Sequence, residues 1–523
     1  MVFLNSVPVP RRRPLAIHRP AWDAGKKLIS SPPEQKDLYC AAMSDYIELG
    51  LAEIVPPEEI YNVNHRIRYL PHHGVYREEK TTSKMRPVFD ASAKSQGEKS
   101  LNDCLHIGPV IMPDILAVIL RFRYYHVALI SDVERMYNSF ALNPVDRDTH
   151  RYVWRNCDQS ADPQTYRMKV VTFGVGPSGY LSEACVHKHV DEFGKIELHA
   201  ENDAIPGARV FLNDLVKEST YMDDVISGRF CWEETIALYR AEKSLFARAG
   251  LNLRKFLSNS QAVMKKIPLV DRAGENVAAI GSSSKTLGIE WFHETDEIGF
   301  ENVVKNAKMQ SPMKITKRSI AKCAPLLYDP AGWLQPFTVR SKLLLREVWM
   351  RGESWDDPIE DDLENAWKIW IAELNDIENL RLPRTYATKP IVKAELFAFG
   401  DASAICYATS VYLKSYHADG TTEVMLVASK SKVYPIKANL TIPKAELLAA
   451  LISARLVTFV RKELEMFSAK IIRCFSDSKI VLCWIRGRND DKLQRCVLNR
   501  VKEIRNLIAP ELWQYCRTDE NPA

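Results

Sequence analysis

The sequence of 523 residues contains no apolar run as long as a membrane span requires. Its best apolar stretch, "LLAALISARLVTFV", is shorter than the roughly 18 residues of a membrane span and contains Arg455. Basic residues near the N-terminus are not followed by an apolar core of signal-peptide length. We therefore expect neither a membrane partner nor secretion.

The cysteines are few and scattered. There are 11 of them, and no C-x-x-C pair occurs anywhere. This pattern is typical of free thiols in a reducing compartment and argues against a disulfide framework or a zinc ribbon. Internal repeats and low-complexity tracts are also absent.

The net charge of +5 is small for this length, but basic residues cluster near the start of the chain and again in "KMQSPMKITKRSIAK". The second cluster contains Lys308, Lys314, Lys317, Arg318 and Lys322. A basic stripe of this kind can follow a phosphate backbone. A solvated helix face explains it equally well, so both interpretations stay open.

The length predicts about three or four structural units. After an N-terminal segment, residues 1–75, short strands alternate with helices in an α+β pattern over residues 76–257. A Trp-rich helical section dominates residues 258–385, and "LRLPRTYATKP", with its prolines and turn residues, is interpreted as a linker. Residues 390–523 are predicted to form a separate α/β domain.

Two adjacent carboxylates, Asp223 and Asp224, stand between strand-like flanks in "ESTYMDDVISG". A hairpin would present both acids at its tip, and a divalent cation would relieve their repulsion. Nucleotide transfer uses two such ions about 3.5–4 Å apart, so a third carboxylate is expected. Asp132, at the end of an apolar strand in "VALISDVERMYNSF", is the candidate, although an isolated Asp there is more simply a helix N-cap.

The tetrapeptide Tyr221–Asp224 resembles the signature of reverse transcriptases. The run "KMRPVFDASAKSQGEKSLNDCLHIGP" strongly resembles the fingers of BEL/Pao-type LTR retrotransposon polymerases. The resemblance extends from about residue 38 to residue 523. It implies a multidomain α+β fold in which a right-hand polymerase is followed by an α/β ribonuclease H-like domain with a mixed sheet.

The resemblance assigns each predicted segment to a part of a polymerase of this family. Residues 1–75 would hold the N-terminal segment and the start of the fingers, and residues 76–257 the fingers and palm. Residues 258–385 would form the primer grip and a helical thumb or connection, with "KTLGIEW", Lys285–Trp291, resembling the primer grip. Residues 390–523 would form the ribonuclease H-like domain.

The resemblance also implies roles for the acids and for one lysine. Asp132, Asp223 and Asp224 would be the catalytic metal ligands of the polymerase. Lys255, in "LNLRKFLS", matches a lysine near the leaving pyrophosphate, where it would act as a general acid.

Further positions match residues that bind the incoming nucleotide in this family. Lys84 and Arg86 would grip the triphosphate, which an arginine can do with two hydrogen bonds. Tyr137 would lie under the sugar and clash with a ribose 2′-hydroxyl. Phe173 and Gly174 would contact the nucleotide and template.

The sequence departs from the family next to Phe173 and Gly174, which makes their predicted contact with the nucleotide and template less certain. The family usually has Ser-Pro where this chain has Ser178-Gly179.

The C-terminal domain resembles ribonuclease H in "AFGDAS", "PKAELLA" and "FSDSKI". Asp401 would end one strand, Glu446 would lie in the first turn of a long helix, and Asp477 would end another strand. Acids from three elements would share metal ions, because buried unpaired carboxylates are costly and this chemistry also uses two metals. Family members follow "TDENPA" with a further aspartate, so we expect the domain to be C-terminally incomplete at Ala523.

We therefore expect an RNA-directed DNA polymerase with ribonuclease H activity, using two Mg²⁺ per active site, with Mn²⁺ as a substitute. The expected partners are an RNA template, a DNA primer, RNA/DNA hybrid and deoxynucleoside triphosphates. The expected location is the cytoplasm, in virus-like particles. We also expect the chain to be a fragment of a polyprotein or a truncated gene model, without the protease, integrase and gag-like parts.

Two alternatives remain. An aspartic peptidase needs Asp-Thr-Gly or Asp-Ser-Gly, and the nearest match, Asp401-Ala402-Ser403, lacks the glycine. A domesticated or decayed element would bind nucleic acid without copying it, but the intact acids argue against decay.

Overall fold

A computed structural model describes most of the chain: residues 32–61, 66–76, 84–94, 99–155, 157–158, 160–198, 210–274, 283–309, 314–436, 440–465, 471–487 and 490–523. The basic cluster near the N-terminus lies outside these residues. Within them, no helix combines the length and apolar character required to cross a membrane.

The α-helices of the described residues are, in chain order, α1 Pro33–Glu48, α2 Ile115–Phe122, α3 Ser178–Phe193, α4 Leu212–Ser219, α5 Trp232–Arg248, α6 Gln261–Lys266, α7 Glu301–Met309, α8 Lys317–Cys323, α9 Gln335–Met350, α10 Asp361–Ala372, α11 Leu374–Glu378, α12 Ile442–Glu463, α13 Lys479–Arg486 and α14 Arg495–Leu507.

The strands are β1 Ala52–Ile54, β2 His72–Tyr76, β3 Met85–Phe89, β4 Val127–Val133, β5 Arg151–Trp154, β6 Gln164–Met168, β7 Glu197–Leu198, β8 Val210–Phe211, β9 Thr220–Tyr221, β10 Asp224–Arg229, β11 Leu253–Ser258, β12 Ser284–Thr286, β13 Ile289–Phe292, β14 Glu297–Gly299, β15 Arg381–Pro383, β16 Lys393–Ala402, β17 Cys406–Tyr416, β18 Thr422–Val433, β19 Ile471–Ser476 and β20 Trp513–Tyr515.

The chain divides into two compact units. Unit 1 comprises residues 1–112, 133–196 and 243–253, and unit 2 comprises residues 113–132, 197–242 and 254–523.

Unit 1 contains a three-stranded sheet of order β1-β6-β5 and the antiparallel β2-β3 hairpin. Its core is strongly aromatic. Tyr39 and Tyr46 of α1 pack there with Phe89, Tyr152 and other buried side chains. The Tyr39 hydroxyl and Nδ1 of His72 are 2.5 Å apart, so a buried polar group of this core is satisfied.

Unit 2 contains two four-stranded sheets and one five-stranded sheet, together with the short β7-β8 pair. The first sheet has the order β11-β4-β10-β9 and the second the order β12-β13-β14-β15. One hydrophobic core includes side chains of both sheets and three fully buried tryptophans, Trp291, Trp367 and Trp370. The rings of Trp367 and Trp370 stack with their centroids 4.8 Å apart, which explains why the Trp-rich section is a packed helical layer.

The five-stranded sheet of unit 2 has the order β18-β17-β16-β19-β20. Strands β16, β17 and β18 pair antiparallel, whereas β19 runs parallel to β16 and β20 parallel to β19, so the sheet is mixed. Helix α12 approaches this sheet very closely. A Cβ at Gly400 would lie 2.6 Å from Oγ of Ser453, which requires glycine at this point of β16.

Strand β18 is attached to the helical part of unit 2 by main-chain contacts. The indole of Trp333 donates to the carbonyl of Val427 at 3.1 Å, and the Ser429 amide donates to the carbonyl of Ala331 at 2.9 Å. Gly332 has φ +77°, and a Cβ there would lie 1.9 Å from the Ser429 carbonyl oxygen. A residue with a side chain cannot occupy position 332 in this packing.

The interpretation of "LRLPRTYATKP" as a linker is wrong. Residues 381–383 form β15, which pairs with β14, and Arg384 and Tyr386 are almost completely buried. The prolines and turn residues predicted an exposed segment. The segment is instead held inside unit 2, because its arginines bind partners that only the tertiary structure brings close.

Arg384 is the central residue of this segment. Its guanidinium forms a bidentate pair with Asp296 and donates to the carbonyls of Phe122, Tyr125 and His126 at 2.5, 2.8 and 3.0 Å. These carbonyls end α2 and lead into β4. Arg384 therefore fixes the start of β4.

The expectation that all cysteines are free is also wrong for one pair. Cys40 of α1 and Cys157 form a disulfide, with their Cα atoms 6.0 Å apart. The two residues are 117 positions apart in the chain, so their proximity depends on the fold of unit 1 and has no local sequence signal.

We predict that Arg384→Met lowers the stability of unit 2 by roughly 3–5 kcal/mol, because Asp296 becomes a partly buried charge without its partner and three carbonyls lose a donor. The readout is the thermal unfolding of the full chain. Arg318→Met is the matched control, since the Arg318–Asp356 pair is solvent-exposed and such pairs contribute little. Equal melting temperatures for the two variants would contradict the importance of Arg384.

Candidate metal centres

The first candidate centre lies at the end of the β11-β4-β10-β9 sheet. Strands β9 and β10 form a tight hairpin with Met222 and Asp223 in its turn, and Met222 takes the left-handed conformation at φ 55°. Asp224 begins β10 and pairs directly with Asp132 of β4 across the antiparallel ladder. The hairpin predicted from the sequence is therefore present, and its register brings Asp132 opposite Asp224.

Two cations lie beside Asp132. Nε of Arg254 is 3.6 Å from Oδ1 of Asp132, and Nζ of Lys255 is 3.6 Å from Oδ2. Burial raises the pKa of Asp132 above its ordinary value, and the negative charge of Asp223 raises it further. The positive charges of Lys255 and Arg254 lower this pKa, but they do not cancel the effect of burial. Asp132 is thus in the electrostatic field of both the hairpin acids and the β11 cations.

The nucleotide-binding candidates belong to unit 1, where Phe173 is the central residue. The ring of Tyr137 lies 4.9 Å from that of Phe173, and the guanidinium carbon of Arg86 lies 5.6 Å from the Phe173 centroid. Lys84 is half-buried and immediately precedes β3, which contains Arg86. The structure thus brings two of the predicted residues, Tyr137 and Arg86, to the ring of a third, Phe173.

The fifth candidate, Gly174, has φ +97°, and a Cβ there would lie 2.1 Å from the Phe89 carbonyl oxygen. Asn102 holds the same loop: its side chain donates to the Gly174 carbonyl at 3.2 Å and accepts from the Gly176 amide at 2.8 Å. Asn102 was not predicted as a site residue, because only the folded loop shows that its amide meets both groups.

The second candidate centre lies at the C-terminal ends of two neighbouring strands, β16 and β19, of the five-stranded sheet. The parallel pairing of β16 with β19 sets Phe399 beside Phe475, and their rings stack 4.8 Å apart. Asp401 and Asp477 each follow these phenylalanines by two residues. They therefore lie at the C-terminal ends of neighbouring strands and on the same face of the sheet. Glu446 joins them as the fifth residue of α12, just beyond the first turn in which it was predicted.

Among the described residues, Asp401, Glu446 and Asp477 are the one group of three potential ligands whose atoms all lie within 4.8 Å of one another. Asp132, Asp223 and Asp224 do not meet this criterion. The structure thus brings together the three acids predicted for the second centre, whereas the acids of the first centre lie at the ends of neighbouring strands without forming so tight a group.

The charge balance of this cluster fits a cation. In the described part of the chain, no Lys or Arg forms an ion pair with any of the three acids, and Oε2 of the buried Glu446 has no hydrogen-bond partner. Burial, followed by Asp477 and Asp401, raises the pKa of Glu446 to about 8. Burial also raises the pKa of Asp401. A divalent ion with oxygen ligands would supply the missing positive charge.

Residues near the end of the sequence contact this centre. The Thr518 hydroxyl donates to Oδ2 of Asp477 at 2.8 Å, and the Asn521 side chain donates to the carbonyl of Gly400 at 3.1 Å. Both contacts hold the strand ends that carry Asp401 and Asp477.

The basic stripe of residues 308–322 is largely engaged within the protein. Arg318 forms a bidentate pair with Asp356, Lys308 pairs with Glu378, and Lys317 is buried. These contacts argue against a free path for a phosphate backbone, and the burial of Lys317 shows that the stripe is not simply a solvated helix face either.

A comparison with protein families matches part of the chain. A family model described as "Pao retrotransposon-like RNaseH-like domain" matches residues 316–478, a segment that contains Asp401, Glu446 and Asp477. None of the curated proteins matches the chain significantly.

Solved structures resemble the chain over nearly its whole length. A foamy viral protease-reverse transcriptase dRH in complex with double-stranded DNA has a TM-score of 0.56 at 12% identity, covering 100% of this chain and 76% of that one. The foamy viral enzyme with RNA/DNA hybrid gives 0.56 at 13% identity, covering 94% and 55%. The same enzyme with double-stranded DNA gives 0.55 at 13%, covering 99% and 87%.

Identities of 12–13% show likeness of fold alone. They confirm the predicted fold class, a multidomain α+β arrangement with a mixed sheet in the last domain. Together with the family match, they also confirm the resemblance of the chain to a Pao/BEL-type Pol region.

We predict that the stabilising effect of Mg²⁺ on the full chain grows with pH. The folded-state pKa of Glu446, about 8, exceeds the ordinary value of 4.5, so the metal-free protein loses stability as pH rises from about 4.5 to about 8. Below about pH 8, Mg²⁺ must displace the Glu446 proton, so its effect on the melting temperature should be small at pH 6 and larger at pH 8.5.

The control pair is Glu446→Gln against Glu503→Gln. The first variant should lose both the pH-dependent fall in stability and the additional Mg²⁺ shift at high pH. Glu503 is exposed and pairs with Arg455 of α12, so its variant should keep both effects. A pH-independent Mg²⁺ shift in the wild type would contradict the prediction.

Proposed function

We propose that this protein copies RNA into DNA and that its last domain degrades the RNA strand of RNA/DNA hybrids. The observation that carries the proposal is the register of β10 against β4, which sets Asp224 opposite Asp132 with Asp223 in the adjoining turn. Support also comes from the foamy viral structures, whose bound double-stranded DNA and RNA/DNA hybrid are the kinds of duplex that such an enzyme would hold.

The proposed polymerase reaction joins a deoxynucleoside triphosphate to a DNA primer on an RNA template. The oxygen of the primer 3′-hydroxyl attacks the α-phosphorus, and its proton passes to water. The bond from that phosphorus to the bridging oxygen breaks, and pyrophosphate leaves with the electron pair.

Asp132, Asp223 and Asp224 would hold the metal ions of this reaction. Two Mg²⁺, or Mn²⁺ in their place, would activate the attacking oxygen and stabilise the leaving phosphates when bound. The ammonium of Lys255, 3.6 Å from Asp132, would donate a proton to the departing pyrophosphate.

The residues of unit 1 would select and orient the nucleotide. Arg86 and Lys84 would bind the triphosphate, and Tyr137, braced by Phe173, would exclude a ribose 2′-hydroxyl by its bulk. Gly174 would let the main chain approach the nucleotide or template, because no side chain intervenes.

In the last domain, Asp401, Glu446 and Asp477 would hold metal ions next to a phosphodiester of the RNA strand. Their arrangement fits this role because three carboxylates converge without a basic partner among the described residues. We place both activities in the cytoplasm, in virus-like particles, where protease, integrase and gag-like partners would act beside them.

The test is extension of a DNA primer on an RNA template with Mg²⁺. We predict that Asp223→Asn lowers the extension rate roughly a hundred- to a thousandfold, the range for removing one group that stabilises transition-state charge. The substitution removes a ligand charge with little change of shape. Asp214→Asn, an exposed Asp on α4 of the same unit, is the matched control and should extend primers at the wild-type rate. Rapid extension by the Asp223 variant would refute the metal-ligand assignment.

A further inference from the structure

The three acids of the second centre converge without a basic partner among the described residues. Ligand atoms of Asp401, Glu446 and Asp477 all lie within 4.8 Å of one another. Carboxylates this close repel each other when they are ionised. Before a cation binds, other groups must therefore hold the aspartate side chains in the cluster.

Each of the two aspartates accepts a hydrogen bond from a neutral donor. The main-chain amide of Ala402 donates to Oδ1 of Asp401 at 2.7 Å. The Thr518 hydroxyl donates to Oδ2 of Asp477 at 2.8 Å. In the described part of the chain, the second oxygen of each aspartate accepts no hydrogen bond. Each carboxylate thus has one oxygen fixed by the protein and one available to a cation.

Thr518 is itself held on both sides by its own segment of chain. Before it, the Cys516 amide donates to the carbonyl of Ser476 at 3.2 Å. After it, the Asn521 side chain donates to the carbonyl of Gly400 at 3.1 Å. These two carbonyls directly precede the two aspartates, so the segment is attached to the ends of both β19 and β16. The Thr518 hydroxyl therefore has a fixed position relative to the cluster.

This fixed position is important because the side chain of Thr518 is exposed. Water can replace an exposed hydroxyl that moves freely, but it cannot supply a donor in one set direction. A Lys or Arg would orient the Asp477 carboxylate equally well, yet its positive charge would repel Mg²⁺. A hydroxyl orients the carboxylate and adds no net charge.

We propose that Thr518 is a positioning residue of the second centre, whose hydroxyl orients the Asp477 carboxylate for a divalent cation. The inference rests on the proposed function of the last domain and adds to it a residue outside the three acids. Thr518 acts through Asp477 and has no contact with the metal ion in this role. Groups that orient metal ligands in this way commonly contribute to metal affinity.

The experiment measures binding of Mn²⁺ to the full chain, from the loss of the electron paramagnetic resonance signal of the free ion. All proteins carry Asp223→Asn, so that metal binding at the first centre is weakened equally. Thr518→Val keeps the shape of the side chain and removes the donor. It should reduce Mn²⁺ affinity roughly tenfold, at the lower end of the range for such groups. Thr518→Ser restores the hydroxyl and should recover most of the affinity.

Thr458→Val is the matched control, because it makes the same change at a hydroxyl without a hydrogen-bond partner among the described residues. Thr458 belongs to α12, as Glu446 does, but lies about 18 Å further along the helix. This variant should bind Mn²⁺ like the parent protein. The melting temperature of the metal-free protein should be nearly the same in Thr518→Val and in the parent, since an exposed side chain has changed.

Two results would overturn the inference. One is parent-like Mn²⁺ affinity in Thr518→Val, and the other is an equal loss of affinity in Thr518→Val and Thr518→Ser, which would show that the hydroxyl is not responsible. Cleavage of RNA/DNA hybrid, assayed separately with Asp223 intact, tests the proposed function. Mn²⁺ binding that depends on the Thr518 hydroxyl in a chain that leaves the RNA uncut would support the positioning role while contradicting the proposed cleavage.

Discussion

The hydrogen-bonded pairing of β4 with β10 is the constraint on which the first candidate centre depends. Asp224 lies opposite Asp132 because Val225, Ile226 and the following residues of β10 pair in register with β4. Val225 and Ile226 are buried on opposite faces of the sheet, and a slip by one residue would exchange the faces against which they pack. The core therefore enforces the register, and the register sets the spacing of the acids.

Buried arginines extend this constraint through unit 2. Arg384 fixes the carbonyls at the start of β4, and Arg123 donates to the carbonyls of Arg384 and Leu426 at 2.8 and 2.9 Å. Leu426 belongs to β18, so the strand that carries Asp132 and the sheet that carries Asp401 are connected through two side chains. A guanidinium group is costly to bury without hydrogen-bond acceptors, and each of these two arginines donates to several acceptors.

The sequence was most informative where the candidate site residues belong to short, continuous motifs. The Asp223–Asp224 hairpin and the three acids of the last domain could be predicted, because short motifs place them at strand and helix ends. Asn102, which holds the Gly174 loop, was missed because its partners in that loop lie more than 70 positions away in the chain. The buried segment around Arg384 was misread as a linker for the same reason: its acceptors are contributed by α2 and β4.

The most direct test of the account uses one RNA template and one DNA primer that carry different labels, so that extension and RNA cleavage are followed in the same reaction. The account predicts that the wild-type chain performs both, that Asp224→Asn loses extension and keeps cleavage, and that Asp477→Asn loses cleavage and keeps extension. Two independent carboxylate centres must behave in this separable way. Loss of both activities in either single variant, with the fold intact, would contradict the account.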